Sequence, residues 1–556
     1  MKESAGRGGA TLAFVVIGEV LLLVGVGVPA LALLMPSERS ARRYLVSTAI
    51  GLQQAEVYSP RSRVDITMPK IEGRVINVSS EKDLQKALDE ARPGDEVALK
   101  PGAEFRGSFV LPRKGNAGGN ESGWIIVTSA QAQLNPERGV RISPASASRF
   151  PRLVSTNAEP ALRAAPGAGY YRIIGLELTV APSVKINYGI VRLGEGSELS
   201  ADDLPHHIIV DRCYIHGLPT TNIRRGIALN SAASAVIDSW ISDCHEAGAD
   251  SQAICCWNGP GPFEISGNYL EAAGENVMFG GADPSIPMLV PSDITFTRNY
   301  CRKPPSWRVP SGSSESKWSV KNLFELKNAE RVLIENNVFD NNWVDAQTGY
   351  AILFKSVNQD GKAPWSKTGN VIFRANIVRH VSSAINIQGS DPDNKSGRTA
   401  LILIQNNLLQ DIDSNHWGGE GAFIKISGAA DVHVDHNTAL GTGSILIAYG
   451  DPNQRFVFTN NVVSNNTYGI KGDSVSSGTA TLDKFFPGST VSGNLIIGGS
   501  PSSYPSGNCF APRLLDRDGA VRAATPDGCP NKYPGCQLDE AAVLAAARTA
   551  DVETPH

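Results

Sequence analysis

The sequence predicts an all-β chain folded as a parallel β-helix, and a recurring asparagine is the main reason. Across 556 residues, short apolar segments repeat with an Asn at one fixed position: Asn268, Asn299, Asn337, Asn376, Asn407, Asn437, Asn461 and Asn494. Their spacing of 24 to 39 residues is typical of a solenoid. In a parallel β-helix, a buried Asn at a turn bonds the Asn of the next coil, about 4.8 Å away. We therefore predict one column of stacked asparagines, called the Asn ladder below.

The repeat continues upstream without Asn. Residues 207–217 and 234–244 fit the same frame with Cys213 and Trp240 in the ladder position, which gives a solenoid of ten or more coils. Before the coils, Leu84, Ala87 and Leu88 follow helical spacing after a Ser80 N-cap, and Pro93-Gly94 ends the pattern. This segment predicts an N-terminal α-helical cap over the open edge of the first coil.

The combined pattern resembles the right-handed parallel β-helix superfamily that includes pectate lyases, chondroitinase B-like lyases and alginate lyases. The resemblance covers roughly residues 71–500, and the opening DLQKALDEARPGDEVALKPG is similar to the start of many secreted β-helix proteins. It implies a right-handed, single-stranded β-helix. The superfamily also contains hydrolases, epimerases, esterases and phage adhesins, so the resemblance is specific for fold rather than for activity.

Four regions follow from composition. Residues 1–35 contain an apolar run from Thr11 to Met35 and are a signal peptide or a membrane anchor. Residues 36–70 are predicted as a linker, 71–508 as the β-helix and 509–556 as a Cys-containing tail. Either interpretation of the N-terminus predicts an extracytoplasmic β-helix, whether secreted, periplasmic or associated with the membrane through that segment. We expect a monomer.

Charge and cysteines set further limits. The net charge is −4 with no basic stripe, which argues against a nucleic-acid partner. Of eight cysteines, the five within the coils are predicted as buried apolar filler. A disulfide is expected instead in the tail, among Cys509, Cys529 and Cys536.

A second strand in each coil shows which side chains face outward. Alternation directs Phe324 and Leu326 inward and Glu325 and Lys327 outward. The same argument places Lys355, Asn386, Gln388 and Lys425 on the outer face, and also Leu446 and Ala448. The longest insertions, 282–293, 302–321, 357–369 and 389–399, flank these strands. They predict walls around a groove.

Tryptophan distribution indicates a saccharide ligand. Six of the eight Trp lie in these middle coils, mostly in loops: Trp257, Trp307, Trp318, Trp343, Trp365 and Trp417. Flat rings with one polar N–H suit stacking on sugars. We assign Trp257, Trp343 and Trp365 as stacking platforms and Asn276, Asn386, Gln388 and Lys425 as further substrate-binding residues.

The expected partner is a polysaccharide, and the expected chemistry is β-elimination on an acidic glycan. Such a lyase needs a base for the proton α to a carboxylate and positive charge for the resulting anion. Lys327 is the predicted base, Lys355 and Lys425 are charge partners, and Glu325 is an acid or cation ligand. Glu275 and Asp283 are assigned as ligands of a Ca²⁺ ion.

Two alternatives remain open at this stage. A glycoside hydrolase would use two carboxyl groups, such as Glu325 with Glu275 or Asp283. A non-catalytic β-helix would bind a glycan without cleaving it. Neither the catalytic segment of the chondroitinase B-like lyases, with its Arg and His, nor the aspartate cluster of the pectate lyases is present in the sequence.

Overall fold

The computed structural model describes residues 56–114, 123–131, 137, 139–308, 318–512, 529 and 534–547, with the backbone of 43–44, 514–515 and 521–522. The chain divides into two compact units, Met1–Ser40 and Ala41–His556. The predicted signal or anchor segment, 1–35, lies outside the described residues. Within the described part of the chain, no helix has the length and apolar character needed to cross a membrane.

Three parallel sheets run along the second unit, and between residues 104 and 497 each coil adds one strand to each sheet in turn. This arrangement confirms the predicted parallel β-helix. Sheet A has fourteen strands: Val75–Val78, Glu96–Leu99, Ile125–Ser129, Gly169–Ile174, His206–Asp211, Ala232–Ile237, Gly261–Ser266, Ser292–Thr297, Ala329–Glu335, Thr368–Arg374, Ala400–Gln405, Ala430–Asp435, Val457–Thr459 and Thr490–Ser492.

Sheet B follows the Asn ladder in each coil. It also has fourteen strands: Glu104–Arg106, Arg152–Ser155, Glu177–Val180, Tyr214–His216, Trp240–Cys244, Tyr269–Ala272, Tyr300–Arg302, Val338–Asn342, Ile377–Val381, Leu408–Ile412, Thr438–Gly441, Val462–Ser464, Leu495–Ile497 and Cys509–Ala511.

Sheet C carries the outward residues singled out above. Its twelve strands are Phe109–Leu111, Leu162–Ala164, Val191–Arg192, Arg225–Ala228, Gln252–Cys256, Glu275–Phe279, Phe324–Leu326, Tyr350–Lys355, Ser383–Gln388, Ile424–Ser427, Leu446–Ala448 and Ile470–Gly472.

Short elements complete the described chain. Three two-stranded pairs join Arg43–Tyr44 to Val57–Tyr58, Ile186–Asn187 to Asn222–Ile223, and Leu514–Leu515 to Val521–Arg522. The helices are Glu81–Glu90, Pro144–Ala147, Ser414–Trp417, Thr479–Phe485 and Glu540–Ala547, with 3₁₀ turns at Ala201–Asp203, Pro305–Trp307 and Pro501–Ser503.

The inward side chains of all three sheets form one apolar core along the solenoid. Ile294, Phe296, Phe324 and Phe339 show its composition in the middle coils. Leu84, Ala87 and Leu88 of the predicted N-terminal helix are buried in the same core. In strand Leu446–Ala448 the predicted alternation is wrong by one residue: Leu446 and Ala448 belong to the core, while Ile447 packs outside it with Tyr350.

The Asn ladder forms as predicted. The backbone N–H and the Nδ2 of Asn299 both donate to Oδ1 of Asn337, and Nδ2 also donates to the carbonyl of Ile265. The same pattern runs from Asn268 to Asn494 and continues to Asn508. Trp240 is not a ladder residue. Ser239 holds that position, since its N–H donates to Asn268 Oδ1 and its Oγ accepts from Cys213 N–H.

The outer faces of sheets A and B are covered by the chain itself. Residues 56–70, predicted as part of a linker, pack along sheet A, where Val57 contacts Ile372 and Leu403. Apolar side chains at both places explain this, because they would otherwise be exposed.

The C-terminal helix, Glu540–Ala547, packs on the middle strands of sheet B. Val543 and Ala547 pack on a column of outward side chains that includes Trp240, Tyr269 and Tyr300. A disulfide joins Cys509 to Cys529 and confirms the bond predicted in the tail. The five coil cysteines are buried thiols, as predicted.

Candidate functional site

The outer face of sheet C differs from the other two faces. In the described part of the chain, the contacts of both terminal segments are with sheets A and B. Sheet C is flanked instead by loops, those arriving from sheet B on one side and those leaving for sheet A on the other. This face is therefore the best placed to receive a ligand.

The wall on the sheet A side is tied together along the axis. Asp283 accepts hydrogen bonds from the backbone N–H groups of Asp360 and Lys362, two coils further on. Asn358 N–H in turn donates to Asp391 of the following loop. The wall is thus cross-linked between coils, and a ligand on sheet C meets a fixed edge.

The centre of the face is a carboxylate between two lysines. Glu325 is fully buried, and its Oε1 lies 4.0 Å from Lys327 Nζ and 3.9 Å from Lys355 Nζ. Its Oε2 accepts from Asn322 Nδ2 at 3.0 Å. The two ammonium groups are too far from Glu325 for hydrogen bonds, so they retain donors for a ligand.

A second acid lies one coil earlier. Glu275 is fully buried, its Oε2 accepts from Gln252 Nε2 at 2.7 Å, and its Oε1 lies 3.9 Å from Lys321 Nζ. Lys321 is also paired with Asp250. Burial, then the charges of Glu325 and Asp250, raises the pKa of Glu275 to about 7.

The two central lysines are not electrostatically equivalent. The charge of Glu325 raises the pKa of Lys327 against the effect of burial. Burial lowers the pKa of Lys355, with Lys327 adding to this effect and Glu325 opposing it. A lowered pKa makes an amine available as a base, whereas a raised pKa keeps it cationic. These directions favour Lys355, rather than the predicted Lys327, as the candidate base, and Lys327 as the candidate cation.

The remaining outward residues continue the face. The strand register places one outward residue on each successive rung, in the order Glu325, Leu353, Asn386 and Lys425. Lys425 pairs with Glu420 at 3.1 Å and lies over the rings of Tyr350 and Tyr449. Gln388 is next to Lys355, and its Nε2 donates to the carbonyl of Ser390.

The predicted tryptophan platforms have different surroundings. Trp257 and Trp365 are partly exposed, and each donates its N–H to a loop carbonyl, that of Gly196 or Leu289. Trp343 is only 4% exposed because it packs with Trp318 and other loop side chains. We therefore do not retain Trp343 as a stacking platform.

The contacts of Asn276 also argue against its predicted role in substrate binding. It is fully buried, and its Nδ2 donates to the carbonyls of Leu270 and Arg302, while its Oδ1 accepts from Lys303. Lys303 Nζ donates to three further carbonyls, an arrangement that suits an ammonium better than a neutral amine with only two protons. Asn276 and Lys303 thus hold the turn before Glu275, and no donor of Asn276 is left for substrate.

The residues assigned to calcium do not fit that ion. Asp283 is engaged in the loop wall, and Glu275 is neighboured by Gln252 and Lys321. Within the described residues, no three His, Cys, Asp or Glu side chains converge in an arrangement that could hold a metal ion. Calcium binding needs six to eight oxygen ligands, so we derive no chemistry from a cation here.

Four residues near the site were not predicted from the sequence. Lys321, Asn322, Gln252 and Asp250 all lie at or just before the sheet C strands. Alternation fixes the direction of side chains only within a strand, so it does not predict those at the bends before the strands. Their signal was positional, since Lys321 and Asn322 directly precede the Leu323-Phe324 pair.

No protein-family model and no curated protein matches the chain. Similar solved structures include the PL6 family alginate lyase AlyGC, at 14% identity and a TM-score of 0.45, covering 83% of this chain and 57% of AlyGC. The catalytic unit of a GH87 α-1,3-glucanase from Streptomyces thermodiastaticus is similar at 12% identity and a TM-score of 0.47, covering 83% and 73% of the two chains. A PL6 alginate lyase in complex with a trisaccharide is similar at 11% identity and a TM-score of 0.44, covering 84% of this chain and 96% of that lyase. These distant similarities carry no conclusion about activity, and the β-helix assignment rests on the three sheets of the chain itself.

Proposed function

We propose that the protein is a polysaccharide lyase that cleaves an acidic glycan by β-elimination on the outer face of sheet C. The observation that supports this proposal is one buried carboxylate, Glu325, with two lysines whose pKa values shift in opposite directions. One face thereby supplies both a base and a fixed positive charge, the two requirements of elimination next to a carboxylate.

In the proposed reaction, Lys355 in its neutral form removes the proton α to the uronate carboxylate. The electrons of that C–H bond form the new carbon–carbon double bond, and the bond to the glycosidic oxygen breaks. Lys327 stays protonated, holds the substrate carboxylate and stabilises the negative charge that develops on it. The departing glycosidic oxygen takes the proton that Lys355 removed, which returns Lys355 to its neutral form. Glu325 keeps both lysines in position.

The test is incubation of residues 37–556 with a panel of polyuronates and neutral glycans. The proposal expects unsaturated uronate ends, seen by their ultraviolet absorbance, in equal number to new reducing ends. Reducing ends without unsaturation would reject elimination in favour of hydrolysis. Retention of a glycan with no new ends would reject catalysis and leave a binding protein.

The pH dependence should follow Lys355. As a base, Lys355 acts when unprotonated, so activity rises with pH through its lowered pKa, below the usual 10.5. The charges of Glu325 and Glu275 raise this pKa, while Lys327 and Lys321 lower it. Glu275→Gln should therefore move the rising limb to lower pH, and Lys327→Met should move it to higher pH. The measurement is kcat/KM against pH; a limb that is unmoved in both variants would contradict Lys355 as the base.

Hydrolysis is the second candidate, and one observation favours it. Glu275 and Glu325 are both buried, and the charge of Glu325 contributes to raising the pKa of Glu275 to about 7. A pair with one protonated and one ionised carboxyl group is what glycoside hydrolysis requires. If the protein is a hydrolase, its products are saturated, and Glu325→Gln abolishes the formation of new reducing ends.

We further propose that the β-helix acts outside the cytoplasm. The apolar run within residues 1–35 supports export, and a groove suited to polysaccharide gives an exported protein its substrate. Cell fractionation tests this. Recovery of the full-length chain in the cytosol, with residues 1–35 intact, would contradict it.

A further inference from the structure

One column of outward side chains runs through the proposed site parallel to the solenoid axis. The strand registers, extended by one residue where the strand ends, place one member on each of seven successive coils. In order they are Trp257, Gly280, Lys327, Lys355, Gln388, Ser427 and Tyr449. The reacting lysines are therefore internal members of the column.

The spacing of the column matches an extended polymer. Neighbouring parallel strands are about 4.8 Å apart, so the six intervals from Trp257 to Tyr449 span about 29 Å. Each interval is close to the length that one pyranose unit adds to an extended glycan. A chain lying along the axis would therefore place about one sugar in each interval between neighbouring rungs, or about six sugars along the column.

Each end of the column carries an aromatic ring with a cation over its face. The guanidinium of Arg225 lies 5.1 Å from the ring centroid of Trp257, and Lys425 Nζ lies 5.5 Å from that of Tyr449. Both rings are partly exposed. A cation beside an aromatic ring offers one acidic sugar a charge partner and an apolar surface at the same time.

We propose that this column is a binding groove for a segment of about six residues of an acidic polysaccharide, cut at an internal bond. This inference rests on the proposed function, because the lysines locate the cut. Lys327 lies two rungs from Trp257, and Lys355 lies three rungs from Tyr449. Sugars are therefore bound on both sides of the cleaved bond. Gly280 fits a close approach by the chain, since its φ of 96° and a Cβ position only 2.9 Å from Lys327 Cβ disfavour any side chain there.

The test uses uronate oligosaccharides of two to eight residues and the full-length polymer. We expect kcat/KM to rise with length up to about six residues and then level off, and viscosity to fall early in the digestion of polymer. Trp257→Ala and Tyr449→Ala should each lower kcat/KM on the hexamer about tenfold, with much smaller effects on the trimer. The control is Tyr58→Ala, which removes a Tyr with an Arg61 cation over its ring on the sheet A side.

Equal efficiency on trimer and hexamer, or release of one unit at a time from chain ends, would overturn the groove even if the lyase is confirmed. If no glycan is cleaved, the proposed activity is wrong, but binding in the groove can still be tested. The measurement is affinity electrophoresis in polyuronate gels, with oligosaccharides as competitors. Competition that strengthens up to about six residues and weakens in Trp257→Ala and Tyr449→Ala supports the groove. Competition independent of length rejects it.

Discussion

Replacement of Lys355 by Ala is expected to lower kcat/KM on the glycan by at least about 100-fold while the fold is retained. Lys355 is 19% exposed and at the surface of sheet C, so its loss leaves the apolar core intact. Lys355→Arg should not restore activity, because a guanidinium stays protonated and cannot accept the substrate proton. Rates from ultraviolet absorbance, with thermal unfolding as the check on folding, measure both effects.

The matched control is Lys367→Ala. Lys367 is a partly exposed lysine that pairs with Glu330 at 3.0 Å on the sheet A side. Its removal should leave kcat/KM unchanged, since exposed ion pairs contribute little. A Lys355→Ala protein with full activity, together with an inactive Lys327→Ala protein, would assign the base to Lys327, as the sequence suggested.

The fold could be predicted because the sequence repeats a physical requirement in every coil. Each tight turn between sheets A and B leaves backbone groups that need a partner, and the Asn ladder supplies one. The two-residue alternation gave the inward and outward faces of the middle sheet C strands correctly, including Glu325 and Lys327. It was wrong by one residue at Leu446, because Ile445, Leu446 and Ile447 are all apolar and either frame places apolar residues in the core. The ladder position was wrong by one residue at Trp240, because Ser239 replaces the Asn that marks it in later coils.

The packing of the terminal segments could not be predicted from the same rules. Val57 and Val543 lie in stretches without a repeat, and their partners Ile372 and Tyr300 are distant in sequence. The electrostatic roles of the two central lysines could not be predicted from the sequence either. Lys327 and Lys355 occupy equivalent positions on adjacent strands, with closely similar burial and distances to Glu325. The opposite directions of their pKa values reflect the other charges around them, mainly acids near Lys327 and the cations of Lys327 and Lys321 near Lys355, and the sequence does not place those charges.

Removal of one ladder side chain should have the largest effect on stability. Asn376 Oδ1 accepts from both the backbone N–H and Nδ2 of Asn337, and its Nδ2 donates to Ile334 O and Asn407 Oδ1. Asn376→Ala removes these four hydrogen bonds and leaves the buried N–H of Asn337 without its side-chain acceptor, which should cost about 1–3 kcal/mol in the free energy of unfolding. Denaturant unfolding followed by circular dichroism measures the change.

Asn376→Ser tests whether the lost hydrogen bonds, rather than lost volume, are responsible. Ser239 already occupies a ladder position, where its Oγ accepts from the N–H of Cys213 and its own N–H donates to Asn268. A serine at 376 can therefore accept from Asn337 N–H, and it should destabilise the protein less than alanine does. Asn415→Ala, at an exposed helical position, should change the stability by less than about 0.5 kcal/mol. Equal losses in the Ala and Ser variants would contradict the hydrogen-bonding role of the ladder, because the two side chains differ by a single hydroxyl group.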